Sequence, residues 1–305
     1  MTYQLKIDVS PVYELINSFL IYTTQKWINN LDVGSQWIED VHQTIASKHH
    51  ADFEAAKLLP FTDYDHLYAL AITRHAEASI PEFLDFLSTQ EATELADRIS
   101  SLVPHVKLED MIRIKEKYTP LLRVWYECYF TTVEDQYIPL LMEDAAEKLT
   151  LADKMDMDLL IEYASGGLVL EPEQHIDKVI LLPTIHLRPL NTYYFYENLL
   201  FIQYPIDLPQ CDEDEPPISL LRLTRAISKA EYLRLLRYVA LGPKSMHEIV
   251  TALGITRDEL LHELLILRVA GLLRTHLLGQ DDEKFSIRPD GVAELPIFLE
   301  SYIRL

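Results

Sequence analysis

The residues best able to do chemistry in this 305-residue chain are its 11 histidines, its 48 carboxylates and its two cysteines. Their spacing decides what that chemistry could be. Asp63, Asp65 and His66, in Phe-Thr-Asp-Tyr-Asp-His, come nearest to a metal-ligand cluster, but Asp63 equally suits a helix N-cap with acids in the first turn. We take the capping reading. His49 and His50, and the scattered His42, His75, His105, His175 and His186, show no His-x-x-x-His or His/Glu pairing. His247 and Glu248 are neighbours on a helix and diverge by about 100°, so they cannot chelate together. Cys128 and Cys211 are too few and too far apart for a disulfide framework or a thiolate site. Residues 1–217 hold only Gly34, Gly166 and Gly167, which leaves no phosphate-binding loop, and Ser165-Gly166-Gly167 lacks the spacing of a nucleophile elbow. Paired acids such as Glu134-Asp135 and Glu143-Asp144 read as a solvated face. The expectation is a protein without catalytic residues, metal or cofactor.

Aromatic residues are the other chemical feature. Tyr118, Trp125, Tyr126 and Tyr129, with Phe130 and Tyr137, recur on consecutive helical turns, and Tyr193, Tyr194, Phe195 and Tyr196 follow in a strand-like run. Such residues fill a helix-on-sheet core, their polar tips reaching water, or line a small-molecule pocket. Packing is the default. The candidate ligand-binding residues are Tyr118, Trp125, Tyr126 and Tyr129, between a helix over residues 108–130 and the sheet.

The elements that must position these groups are bounded by composition. With 49% hydrophobic and 25% charged residues, the chain has an ordinary globular balance and enough length for two cores. No stretch approaches about 18 consecutive apolar residues, and the first nine lack the basic and apolar regions of a signal peptide. A cytoplasmic protein that does not enter a membrane is expected. The net charge of −21 is uneven. Residues 218–305 carry 12 basic and 11 acidic groups, a net of +1, against −22 for residues 1–217. Only the C-terminal part could approach a polyanion without strong repulsion.

The run Pro-Gln-Cys-Asp-Glu-Asp-Glu-Pro-Pro at 209–217 sets acids between prolines and reads as a linker. It divides an acidic domain, 1–208, from a compact segment, 218–305. The first domain opens with a strand over 3–9 and, after Ser10-Pro11, a helix over 11–27. Apolar spacing places further helices over 34–47, 63–75, 80–87, 89–102, 108–130 and 131–149. Period-two runs over 178–183, 184–188, 193–196 and 199–204 then suggest an antiparallel meander.

In the C-terminal segment the pattern predicts helices over 218–227 and 229–241, then Ser245 capping a helix to Leu253 and a stop at Gly254. Thr256 caps a longer helix to Ala270, closed by Gly271. Strands over 272–278 and 284–288 flank a polar tip, and a helix closes the chain. The string RLTRAISKAEYLRLLRYVALGPKSMHEIVTALGITRDELLHELLILRVAGLLRTHLL, with Leu267-Arg268-Val269-Ala270-Gly271-Leu272 before the hairpin, resembles the winged-helix domain of ArsR-type transcriptional regulators. The likeness covers about 88 residues. More loosely, the opening strand and Ser10-Pro11-Val12-Tyr13-Glu14-Leu15 resemble an uncharacterised N-terminal domain found in some Bacillus-type regulators.

The resemblance implies a fold that is α+β and mostly helical, an N-terminal helical domain with a small antiparallel sheet followed by a winged helix-turn-helix. It implies a homodimer that binds double-stranded DNA, with the helix from Thr256 in the major groove and the hairpin on the adjacent backbone. Carried over by position, Thr256, Arg257, Asp258, Leu261 and His262 face the groove, and Lys244, Ser245, Arg274 and Lys284 face phosphates. The metal ligands of metal-sensing relatives have no counterpart here. The implied activity is transcription regulation, with the N-terminal domain sensing a small-molecule effector or dimerising. A second reading stays open. Leu260, Leu264 and Leu267 suffice for the core stripe of the recognition helix, so Leu261 and Leu265 form a second stripe that wants a partner. A winged-helix module turned to protein contact would supply one.

Overall fold

A computed structural model describes residues 3–172, 176–208, 214–279 and 282–304. The chain is α+β and divides into two compact units, one containing residues up to Leu149 and 176–206, the other 150–175 and 207–305. No helix among the described residues is long and apolar enough to cross a membrane.

The first unit begins with β1 (Gln4–Ile7). Ser10 then accepts the Val12 N–H at 3.3 Å, and Pro11 occupies the first helical position, so α1 (Pro11–Thr24) starts where Ser-Pro predicts. It ends earlier than expected because Gln25 turns left-handed, with φ 51°. There follow α2 (Gly34–Thr44), α3 (His50–Ala56), α4 (Asp63–Ile72), α5 (Ile80–Thr89), α6 (Ala92–Ile99), α7 (Leu108–Arg113), α8 (Thr119–Cys128) and α9 (Glu134–Ala152). The helix expected over 108–130 is therefore α7 and α8, joined by a π-helical turn at Ile114–Tyr118. Pro120 explains the turn. Its missing N–H and its ring both disturb an α-helical register, and the backbone N–H and hydroxyl of Thr119 bond instead to the Ile114 carbonyl five residues back.

The chain continues through α10 (Met157–Ser165) and β2 (Leu168–Leu170) to β3 (Lys178–Thr184), β4 (Thr192–Tyr196) and β5 (Leu199–Pro205). In the first unit's sheet the order is β1-β3-β5-β4, with β1, β3 and β5 mutually parallel and only β4 antiparallel to β5. The antiparallel meander is thus corrected to a mixed sheet. Residues 185–190, expected in part as a strand, turn away from the sheet through Arg188 N–H to Ile185 O and Leu190 N–H to Leu187 O. The signal for parallel pairing was present in Val179 to Leu182 and Leu199 to Ile202. These continuous apolar runs suit strands covered on both faces rather than one.

Where β3 ends, a buried polar network fastens the sheet to α1. The Glu14 carboxylate is fully buried and accepts the Thr184 hydroxyl at 2.5 Å, the Asn17 amide at 3.0 Å and the Ile185 and His186 N–H groups at 3.2 Å each. His186 Nδ1 lies 2.5 Å from it, and His186 Nε2 is 2.9 Å from the Tyr129 hydroxyl, which also receives Trp37 Nε1 at 3.0 Å. The expected absence of a His/Glu pairing is corrected here, since 172 residues separate the partners. A second fastening joins Asp8 to Arg74 and to the Tyr13 hydroxyl, at 3.0 and 2.7 Å. The capping role expected of Asp63 also gives way. The residue before α4 is Thr62, with no side-chain cap, and the Asp63 carboxylate is held by both nitrogens of Arg113 that face it.

The second unit adds α11 (Ile218–Ala226), α12 (Ala230–Val239), β6 (Lys244–Ser245), α13 (Met246–Leu253), α14 (Arg257–Val269), β7 (Leu273–Leu277), β8 (Glu283–Ile287) and α15 (Pro289–Ile303). Its sheet has the order β2-β7-β8-β6, and β2 runs parallel to β7 from Leu168↔Thr275 to Leu170↔Leu277. The segment 150–175, counted from the sequence with the first domain, therefore packs with 207–305. Gly167 allows this pairing, because a Cβ there would lie 2.5 Å from the Leu273 carbonyl oxygen. Of the expected linker, 209–213 lies outside the described residues, as do His175 and Cys211, and 214–217 leads directly into α11.

Candidate nucleic-acid interface

Within the second unit, α13 and α14 are set by two reciprocal caps. The Ser245 hydroxyl accepts the Glu248 N–H at 3.3 Å while the Glu248 carboxylate accepts the Ser245 N–H and hydroxyl at 2.8 and 2.9 Å. Thr256 and Glu259 repeat the arrangement at 3.2, 2.8 and 2.8 Å. These bonds hold the Glu248 and Glu259 carboxyls below their ordinary range, the backbone N–H of the cap being the first cause. Between the helices Gly254 is left-handed at φ 66° and closes α13 on the Val250 carbonyl.

The apolar spacing of α14 sorts its faces as expected. Leu260, Leu264 and Leu267 are buried among Leu235, Val239, Ile249 and Phe285. Thr256, Arg257, Asp258, Leu261 and His262 are exposed together on the opposite side. Leu261 is 45% exposed and Leu265 is partly covered. Glu263 is buried, with one carboxylate oxygen unpartnered. Burial, reinforced by the charges of Glu231 and Glu259, raises its pKa against the opposing pull of Arg234 and Lys229. A contrast follows that needs no ligand. Leu260→Ala should cost about 2–5 kcal/mol, as for an emptied core site, and Leu261→Ala no more than about 0.5 kcal/mol, as at a surface. Hydrogen exchange along α14 measures both, and equal costs would mean that Leu261 is covered.

The phosphate candidates divide. The Ser245 hydroxyl is engaged in its cap. Arg274 is ion-paired with Glu162 of α10 at 2.6 Å, so its charge is already answered within the unit. Lys284 stands on β8 opposite both Ser245 and His276 and is half-exposed, and Lys244 lies 5.6 Å from the Tyr238 ring. On the same face of the sheet, His276 Nδ1 meets Glu171 at 2.6 Å and His276 Nε2 meets the Ser286 hydroxyl at 2.7 Å. This has the order of a nucleophilic serine relay, which the sequence spacing did not reveal. His276 and Ser286 are each only 8% exposed, however, and the bonds serve to tie β2 to the hairpin.

Segments 150–175 and 207–217, each with a net charge of −5, also change the charge. The folded second unit carries 13 basic and 22 acidic residues, a net of −9, where 218–305 alone carries +1. Any polyanion must therefore meet a local face, not the unit as a whole.

The aromatic candidates of the first unit lie elsewhere. Tyr118, Trp125 and Tyr129 are buried, their polar atoms bonded to the Pro60 carbonyl at 3.1 Å, the Ser18 hydroxyl at 2.9 Å and the His186–Trp37 pair. Tyr126 is half-buried beside Glu134. Their rings pack on Phe19, Tyr22 and Phe53 and fill the space where a ligand was sought. Among the described residues no group of three or more His, Cys, Asp or Glu could hold a metal ion. Set against known proteins, the chain matches no protein-family model and no curated protein.

Proposed function

We propose that this protein is a cytoplasmic, homodimeric transcriptional regulator of the ArsR-like winged-helix type, binding double-stranded DNA through α14 and the β7–β8 hairpin. In this reading α13, Gly254 and α14 form the helix-turn-helix and the hairpin forms the wing. One observation carries it: Thr256, Arg257, Asp258, Leu261 and His262 are exposed on one side of a helix whose other side is core. Arg257 has the donors to read a guanine edge, and Lys244 and Lys284 are the cations left for phosphate. For self-association, Val292, Leu299 and Ile303 are exposed at i, i+7 and i+11 on α15, an apolar stripe suited to a second copy. The first unit is assigned effector sensing or dimerisation.

The test is duplex binding by the full chain, using a duplex selected from a random library and titrated at several salt concentrations. Arg257→Ala should cost about 1–3 kcal/mol and relax sequence preference, and Lys284→Ala should weaken all sequences alike and reduce the salt slope by about 1. Losses equal in size and blind to sequence would remove Arg257 from base reading.

A second reading is favoured by the exposure of Leu261 beside Asp258 in a unit of net charge −9: a winged-helix module that contacts protein and has lost DNA binding. It predicts no salt-dependent duplex binding. It also predicts that replacing Leu261 with Ser, which leaves the fold intact, abolishes the protein contact.

A further inference from the structure

The helix that fails to offer a pocket on its aromatic side has one on its other side. A groove of about 530 Å³ runs between α3 and the π turn and first half of α8. This is within the usual range for a small-molecule site. Its floor is apolar, made by Phe53, Ala56 and Leu59 on one wall and Pro120, Leu121 and Val124 on the other. Phe53 is packed from behind by Phe19, Tyr22 and Trp125, with ring centroids 6.1, 5.6 and 5.9 Å away, so this part of the floor is in place without a ligand.

The rim has a sign. Asp52 on one wall and Glu116 on the other are exposed carboxylates, and among the described residues the one ion-pair contact to either is the His49 ring, 3.8 Å from Asp52. Lys117 is the single permanent cation among the lining residues. The first unit as a whole carries 14 basic and 26 acidic residues, a net of −12, which raises the local concentration of cations.

We propose that this groove binds a small lipophilic cation, its apolar body on the Phe53–Leu121 floor and its charge between Asp52 and Glu116. A fully hydrated metal ion would gain nothing from the floor, and an apolar anion would meet two carboxylates. The proposal does not depend on DNA binding by the second unit, which is measured separately on the same samples.

Isothermal titration of the full chain with tetraphenylphosphonium tests it, with triphenylphosphine oxide as the uncharged probe and 8-anilinonaphthalene-1-sulfonate as the anionic one. The cation should bind, and Asp52→Asn/Glu116→Gln, both at exposed positions, should weaken it about tenfold. The uncharged probe should bind less tightly and be insensitive to that pair of substitutions. Leu121→Trp, which fills the groove, should abolish binding while far-ultraviolet dichroism and the urea midpoint stay native. Absence of cation binding overturns the proposal. So does cation binding that the double variant leaves unchanged, or equal binding of the three probes. Should Leu121→Trp misfold, the double variant alone still decides.

Discussion

His186→Ala is expected to destabilise the first unit by about 3–5 kcal/mol, the combined cost of taking a hydrogen-bond partner from a buried carboxylate and of emptying a core site. The size follows from what is left behind. Glu14 is fully buried, and without the imidazole its carboxylate keeps only the bonds from Thr184, Asn17 and two backbone N–H groups. The ring also fills space beside Trp37, Tyr129, Phe130 and Tyr137, so a cavity adds to the loss. All three tryptophans, Trp27, Trp37 and Trp125, belong to the first unit. Urea unfolding followed by tryptophan emission therefore reports this unit by itself. A change below about 1 kcal/mol would mean that the network is incidental to stability.

The same network gives the direction of the pH dependence. Burial pushes the Glu14 carboxyl up, but the hydrogen bond and charge of His186, with bonds from Thr184 and Asn17, outweigh it and hold the group below its ordinary value. For Asp8, burial is likewise overcome by Arg74, Tyr13 and Lys6. A carboxyl lowered in the folded state binds fewer protons there than in the unfolded chain. Its contribution is therefore complete above the ordinary carboxylate range and is lost as pH falls through it. The urea midpoint should drop on acidification, and less steeply in Glu14→Gln.

The second large effect is expected at Gly291, in the first turn of α15. On a free helix, Gly→Ala would stabilise by about 1 kcal/mol. Here the sign reverses, because a Cβ would stand 1.9 Å from the Gly271 carbonyl oxygen and 2.8 Å from its carbon. Backbone atoms cannot rotate aside as a flexible side chain could, so α15 must lift from the turn before β7. Overpacking of this kind costs about 3 kcal/mol, at the upper end of its usual range. Hydrogen exchange of α15 amides should accelerate in Gly291→Ala while the first unit's tryptophan transition stays fixed. Unchanged exchange in α15 would show that the contact is not required.

Much of the local structure was legible because its causes are local. Ser10-Pro11, Ser245, Gly254 and Thr256 stop or start helices through bonds reaching no further than four residues, and those positions hold the caps and turns expected of them. The burial of Leu260, Leu264 and Leu267 likewise follows from a 3.6-residue period on one helix, whereas the same period left open whether the second stripe at Leu261 is covered, and it is exposed. The π turn at Ile114–Tyr118 was less visible, although Pro120 was its signal.

What tertiary structure alone decided has a common reason: periodicity says that a face is covered and not by what. Period-two runs identified β3 and β5 as strands but not as parallel neighbours, and nothing near Leu168 indicates Leu273 to Leu277 as its partner, more than 100 residues on. That pairing placed 150–175, with its net charge of −5, in the same unit as the candidate DNA-facing helices, and together with the −5 of residues 207–217 it turned a net charge of +1 into −9. Glu14 and His186, or Glu171, His276 and Ser286, are unremarkable in their own segments and acquire meaning only when strands bring them within 3 Å. Composition and spacing determined which residues could cap, cross a turn or line a core. Long-range pairing, whose partners leave no mark on each other's sequence neighbourhood, determined which charges meet, where the core closes, and on which side of α8 a groove stays open.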